Sequence, residues 1–182
     1  MEKIILESIC NWLRKNYWEF SLDEGQEKIW IFQEMSNRFI GYLQILVKPE
    51  NSMYAVYGLS PFGFNRKDDE LNCKLGKFVN MANSRLEGIE NLGKFELTHA
   101  FCVRFKCTVD CSEGAPSDKT IENSLWSTVS AFYHYSEGLT EIIYSNKDAV
   151  AAFEKCNPVE LDETPQSLIH SSNQHSIDDK PL

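Results

Sequence analysis

The groups in this 182-residue chain that could attack a substrate, hold a metal or move a proton are six cysteines, four histidines and 27 acids. A thiol nucleophile needs a histidine beside it and a third group to orient that histidine. His99 lies close to Cys102 in sequence, but the pair fits no recognised nucleophile motif, and an ordinary turn histidine is the simpler reading. Of the other histidines, His170 and His175 fall near the C-terminus, far from any cysteine-bearing strand. The cysteines (Cys10, Cys73, Cys102, Cys107, Cys111 and Cys156) include no C-x-x-C pair. Structural zinc draws on closely spaced ligand pairs, so buried small hydrophobes are the better account of them. Asp68-Asp69-Glu70 is a carboxylate cluster with a structural use, as charge at a helix start. Glu87, Glu90 and Glu96 match no metal spacing. A phosphate cradle would need G-x-x-x-x-G-K or G-x-G-x-x-G, and the closest imitation, Gly58 to Gly63, lacks the lysine. We therefore expect no catalytic residue, no metal site and no cofactor: a protein that is not an enzyme.

The elements that would position any site alternate between two periods. Residues 2–15 place Ile5, Ile9, Trp12 and Leu13 at helical spacing. Residues 17–22, 28–34, 38–47 and 53–59 then switch to a period of two and predict four strands. Their separators (Asp23-Glu24-Gly25, Ser36-Asn37 and Pro49-Glu50-Asn51-Ser52) are short and turn-like, which favours antiparallel pairing. Residues 61–66 read as a loop carrying two exposed phenylalanines, Phe62 and Phe64. A helix over 67–87 follows, with a stripe of Leu71, Leu75, Val79, Ala82 and Leu86. Gly76 within it lowers helix propensity by roughly 1 kcal/mol, so a close packing partner is expected there. Strands are predicted over 93–98 and 101–111. In the second, Phe101, Val103, Phe105, Cys107, Val109 and Cys111 share one face, and Cys102, Arg104, Lys106, Thr108 and Asp110 share the other. A helix from Asp118 should break at Glu137-Gly138, and a short one should run over 146–156. The expected architecture is α+β: an antiparallel sheet of about six strands flanked by helices, in the order helix, four strands, helix, two strands, helix. Residues 1–156 form the domain, and 157–182, rich in Pro, Ser, Asn and acids, read as a disordered acidic tail.

With 18 bases against 27 acids the net charge is −9, and Lys and Arg never gather into a block of five. Nucleic acid and anionic membrane surfaces are poor partners for such a chain. No window reaches the roughly 20 apolar residues of a membrane span. No export signal opens the sequence, so a cytoplasmic location with reduced thiols is expected.

What stands out is an asymmetry along the sheet. The strand over 101–111 has one polar face, whereas the strands between 28 and 59 are apolar on both. Ile29 and Ile31 oppose Trp30 and Phe32; Phe39, Leu43, Ile45 and Val47 oppose Ile40, Tyr42 and Leu46. One set meets the helices and the other needs a second cover. That cover is the chain's own helices, another copy of the protein or a client peptide. The residues expected to bind a partner are Trp30, Phe32, Tyr42 and Leu46, with Phe62 and Phe64 as a flap.

The stretch Phe78-Val79-Asn80-Met81-Ala82-Asn83, with Leu86, Gly88, Gly93-Lys94-Phe95-Glu96-Leu97 and residues 101–106, resembles the middle of the YbjN family. There a helix bearing an Asn runs into a G-x-F strand and then into a strand with an Arg after alternating apolar residues. Trp18 and the aromatic strands over 28–47 are similar to that family's N-terminal half, so the likeness spans residues 2–155. It implies a fold shared with type III secretion chaperones, small acidic proteins that usually dimerise and hold unfolded client segments. YbjN-like proteins are described as sensory-transduction regulators and as peptide-binding, chaperone-like modules. The resemblance implies a client protein or peptide as partner and a homo-oligomer, and transfers no site residue. The chain departs from simpler members in its acid-rich C-terminal tail and in the extra helix near 146–156.

Overall fold

The computed structural model describes residues 2–23, 25, 28–35, 39–64, 67–86, 93–99 and 102–156. Helix α1 (Glu2–Lys15) is followed by strands β1 (Phe20–Asp23), β2 (Lys28–Met35), β3 (Phe39–Lys48) and β4 (Met53–Gly63). Then come helix α2 (Asp69–Leu86), strands β5 (Gly93–Leu97) and β6 (Cys102–Asp110), and helices α3 (Asp118–Ser145) and α4 (Ala149–Lys155). The chain is α+β with one six-stranded sheet in the order β1-β2-β3-β4-β6-β5, antiparallel throughout. The expected tail over 157–182 lies outside the described residues.

The helices stack on one face of the sheet. There Ile29, Ile45, Val56 and Cys107 follow one another across β2, β3, β4 and β6, and Ile31, Leu43, Gly58, Phe105 and Phe95 form the next row. Helix α3 lies on these rows: its Ser124 hydroxyl pairs with the buried Tyr54 hydroxyl at 3.0 Å, and its Phe132 ring stands 5.5 Å from Phe95. Helix α1 lies beside α3, with Ile5, Ile9 and Leu13 completely buried, and α2 and α4 close the β5 end. The alternation read in β6 holds: Val103, Phe105, Cys107 and Val109 are buried, with Arg104 and Lys106 on the other face.

Four local expectations are corrected. Strand β1 starts at Phe20 rather than residue 17, because residues 16–18 close the end of α1. Tyr17 takes the left-handed conformation (φ 58°), its N–H donates to the Arg14 carbonyl, and the Trp18 N–H donates to the Leu13 carbonyl, a Schellman turn. Strand β4 continues through Pro61 to Gly63, because a register shift between Leu59 and Gly63 lets the ladder resume opposite Cys102. Helix α3 does not break at Gly138. A side chain there would strike the Phe78 ring at 2.6 Å and the Cys156 sulfur at 2.7 Å, so this glycine marks where α2 and α4 press against α3. The helix ends instead at Asn146 (φ 51°), whose side chain and carbonyl both accept from Lys74. Gly76, expected to be closely packed, has nothing within 4 Å of where a side chain would begin, because it faces away from the neighbours of α2.

Candidate protein-binding face

The other face of the sheet is built from the alternate residues of the same strands, and no described helix packs on it. Pairing fixes its grid. One row runs Trp30, Gln44, Tyr57, Lys106, Lys94; the next runs Phe32, Tyr42, Leu59, Arg104, Glu96; a third runs Lys28, Leu46, Ala55, Thr108. The backbone register thus puts four of the predicted residues, Trp30, Phe32, Tyr42 and Leu46, on one side of β2 and β3. Tyr42 is 42% exposed, and Trp30 and Leu46 are half-buried. The side chains of Phe32 and Phe62 lie outside the described residues. Phe64, expected to form a flap, is half-buried and packed against the core. Sequence reading passed over Tyr57 and Leu59, which complete the aromatic grid on β4. The signal for them was the parity of the strand: both fall opposite to the buried Tyr54 and Val56.

Cations lie over these rings. The Arg104 guanidinium stands 4.9 Å from the Tyr57 ring centre, and the Lys28 ammonium 5.8 Å from that of Trp30. Arg104 also donates to one Glu96 oxygen from Nε (2.9 Å) and from its NH2 group (2.7 Å). Tyr57 is consequently only 6% exposed although no described helix covers it. Five of the 18 bases (Lys28, Lys48, Lys94, Arg104, Lys106) and four of the 27 acids (Asp23, Glu96, Asp110 and, by backbone register, Glu34) fall on this face. The face is therefore +1, while the other 13 bases and 23 acids leave −10 on the rest of the chain.

The pieces of sequence that carry the family resemblance meet at the β5 edge. The Asn83 carboxamide of α2 hydrogen-bonds both outward groups of Phe95: the Phe95 N–H donates to Oδ1 (2.7 Å) and Nδ2 donates to the Phe95 carbonyl (3.0 Å). Asn83 stands in for a neighbouring strand and closes that edge to another chain. Gly93, two residues earlier, lies directly beneath the Phe105 ring and the Lys106 carbonyl, where a side chain would clash. The Asn, the G-x-F strand and the Arg are therefore structural parts of the sheet.

The titratable groups read at the outset are dispersed. His99 is exposed in the β5–β6 turn, and the Cys102 sulfur lies 3.2 Å from the Thr98 hydroxyl. Burial pushes the Cys107 thiol up to about 11, and burial raises Cys10, Cys111 and Cys156 as well, so these sulfurs are held as thiols, the non-nucleophilic form. Burial also lowers the His134 imidazole. Among the described residues no three His, Cys, Asp or Glu side chains converge on a metal position, and no helix is long and apolar enough to cross a membrane. A shallow groove between α2 and α4, lined by Asn80, Met81, Ser84, Arg85 and Phe153, brings in Arg85 alone as a titratable group.

No protein-family model and no curated protein matches the chain. Among solved structures it is similar to a chain of the HopA1–SchA chaperone–effector complex, with a TM-score of 0.45 and 11% sequence identity over 70% of this chain and 91% of that one.

Proposed function

We propose that this chain is a non-enzymatic, cytoplasmic binding module of the YbjN type, a chaperone or regulatory adaptor that holds a segment of a client protein on the helix-free face of its sheet. One observation carries this: Trp30, Tyr42, Leu46, Tyr57 and Leu59 stand together where no described helix covers them. Aromatic side chains that are half-buried before binding lose little freedom on binding and anchor interfaces efficiently. Burying them further yields about 25 cal/mol per Å² before ordering costs are subtracted. Phe32 joins the site through its register opposite Tyr42. The closed β5 edge favours docking on the face over strand addition at that edge.

The test is affinity purification from the native cell with wild-type chain and with Phe32→Ser and Tyr42→Ser. Both variants should lose the captured client while unfolding like wild type. Unchanged capture by both would remove the face from the reading.

A second reading is that two copies of the chain join through the same face. The face is close to neutral while the remainder is strongly acidic, so face-to-face pairing brings together the least repulsive surfaces. Light scattering after size-exclusion chromatography decides it: a strict monomer eliminates self-association.

A further inference from the structure

Resting on the reading of this face as a docking surface, we infer that its occupant is an extended acidic segment, with apolar side chains on the aromatic end of the grid and carboxylates on Lys106 and Lys94. The row Trp30, Gln44, Tyr57, Lys106, Lys94 crosses five neighbouring strands and changes character once along its length, from rings to ammonium groups. Strands lie about 4.8 Å apart, so the row is about 19 Å long, the reach of about six extended residues.

The β6–β5 end of the grid is where cations are in excess. Lys106 and Lys94 stand directly opposite each other on neighbouring strands, an arrangement that disfavours the free sheet because like charges face one another. The one acid nearby, Glu96, is engaged through Oε2 by both Arg104 nitrogens, and Lys94 reaches only its other oxygen, at 3.9 Å. Among the described residues the Lys106 ammonium takes part in no side-chain hydrogen bond or ion pair. Two lysines placed side by side without an acid between them are complementary to two neighbouring carboxylates of a ligand. The aromatic rings at the other end require apolar side chains on the same ligand. A nucleic acid would also carry negative charge, but a polyanion extending past the row would meet the −10 of the rest of the chain.

The experiment uses the full chain and two labelled hexapeptides, one with two leucines and a phenylalanine followed by three glutamates, the other with lysines in place of the glutamates. Wild type should bind the acidic peptide roughly tenfold tighter, since each exposed ion pair is worth a few-fold in affinity. The difference should vanish in about 1 M salt, where the screening length is about 3 Å. The double variant Lys94→Glu with Lys106→Glu should reverse the preference, and Tyr42→Ser should weaken both peptides alike. Equal affinity of wild type for the two peptides, binding of neither, or an unchanged preference in the double variant would overturn the inference. Displacement of the acidic peptide by a short oligothymidine at equal concentration would overturn it too. If Tyr42→Ser still abolishes client capture in any of these cases, the docking face stands and only its charge preference has failed.

Discussion

On the covered face, Ile31, Leu43, Phe105 and Phe95 follow one another across the sheet, all at 4% exposure or less. One residue along each strand, the neighbouring row on the open face reads Tyr42, Leu59, Arg104, Glu96, with Tyr42 at 42% exposure. The two rows share backbone, hydrogen bonds and neighbours; they differ only in what lies above them. Under α3 the rings pack edge to face, as Phe95 does with Phe105 at 5.0 Å, and charge is excluded. On the open side the rings are covered by side chains from the sheet itself, Arg104 over Tyr57 and Lys28 over Trp30. A strand-borne cation keeps water off an aromatic face and remains able to meet a ligand, which a packed helix cannot do.

The two faces should differ most in what they contribute to stability. Phe105→Ala removes a completely buried ring from the centre of the covered face and should cost about 3–5 kcal/mol, read as a lowered urea midpoint with little change in slope. A loss below about 1 kcal/mol would mean the helix layer can collapse onto the gap, and the distinction between the faces would lose its energetic basis.

The covered face should also be the alkali-sensitive one. The Cys107 thiol titrates near 11 in the folded chain because burial disfavours its thiolate, against about 8.5 for an unfolded cysteine. Between those values the unfolded chain has released a proton that the folded chain retains. Stability is therefore fully present below about pH 8.5 and falls as pH rises toward 11, by about 2–3 kcal/mol from this group. Cys10, Cys111 and Cys156 are displaced in the same direction. Urea midpoints at about pH 8 and about pH 10.5 should differ accordingly, and Cys107→Val should shallow the decline. An identical decline in that variant would assign the sensitivity elsewhere.

Asn83 sharpens the comparison by testing whether recognition is confined to the face. Asn83→Ala leaves the Phe95 N–H and carbonyl without partners at the β5 edge, at a cost of about 1–3 kcal/mol. The freed edge should then pair with another chain, so the variant should elute as a larger, more concentration-dependent species than wild type. A variant that matches wild type in both stability and elution would show that Asn83 does not guard that edge.

Much of this architecture is readable from period alone. Strict alternation from Val103 to Val109 assigns both faces of β6, and the doubly apolar β2 and β3 announce that both of their faces need a cover. What period does not carry is contact between distant residues. Pro61 reads as a stop, yet a register shift against β6 lets β4 pass it. Gly138 reads as a helix end, although its meaning comes from Phe78 and Cys156, which lie far away in sequence. Phe64 reads as exposed because only the fold shows that it packs against the core. No basic block is visible because Lys94, Arg104 and Lys106 become neighbours only when β5 pairs with β6. Asn83 could have been noticed, since it lies in the stretch resembling a known family, but its carboxamide acquires a role only once β5 is an edge.

The smallest expected effect is the one that discriminates most. Tyr42→Ser removes an exposed ring from the open face, opposite Phe32 and Leu59. Cross-strand pairs of this kind contribute roughly 0.2–1 kcal/mol, and the exposed half of the ring contributes nothing to folding. The urea midpoint should therefore shift by no more than the equivalent of about 0.5 kcal/mol, an order of magnitude below Phe105→Ala, even though client capture is lost. A ring that is dispensable for folding and required for binding is what a docking surface demands. If Tyr42→Ser instead lowered stability by about 2 kcal/mol or more, the ring would be part of a packed layer, and the open face would have to be regarded as a second core surface.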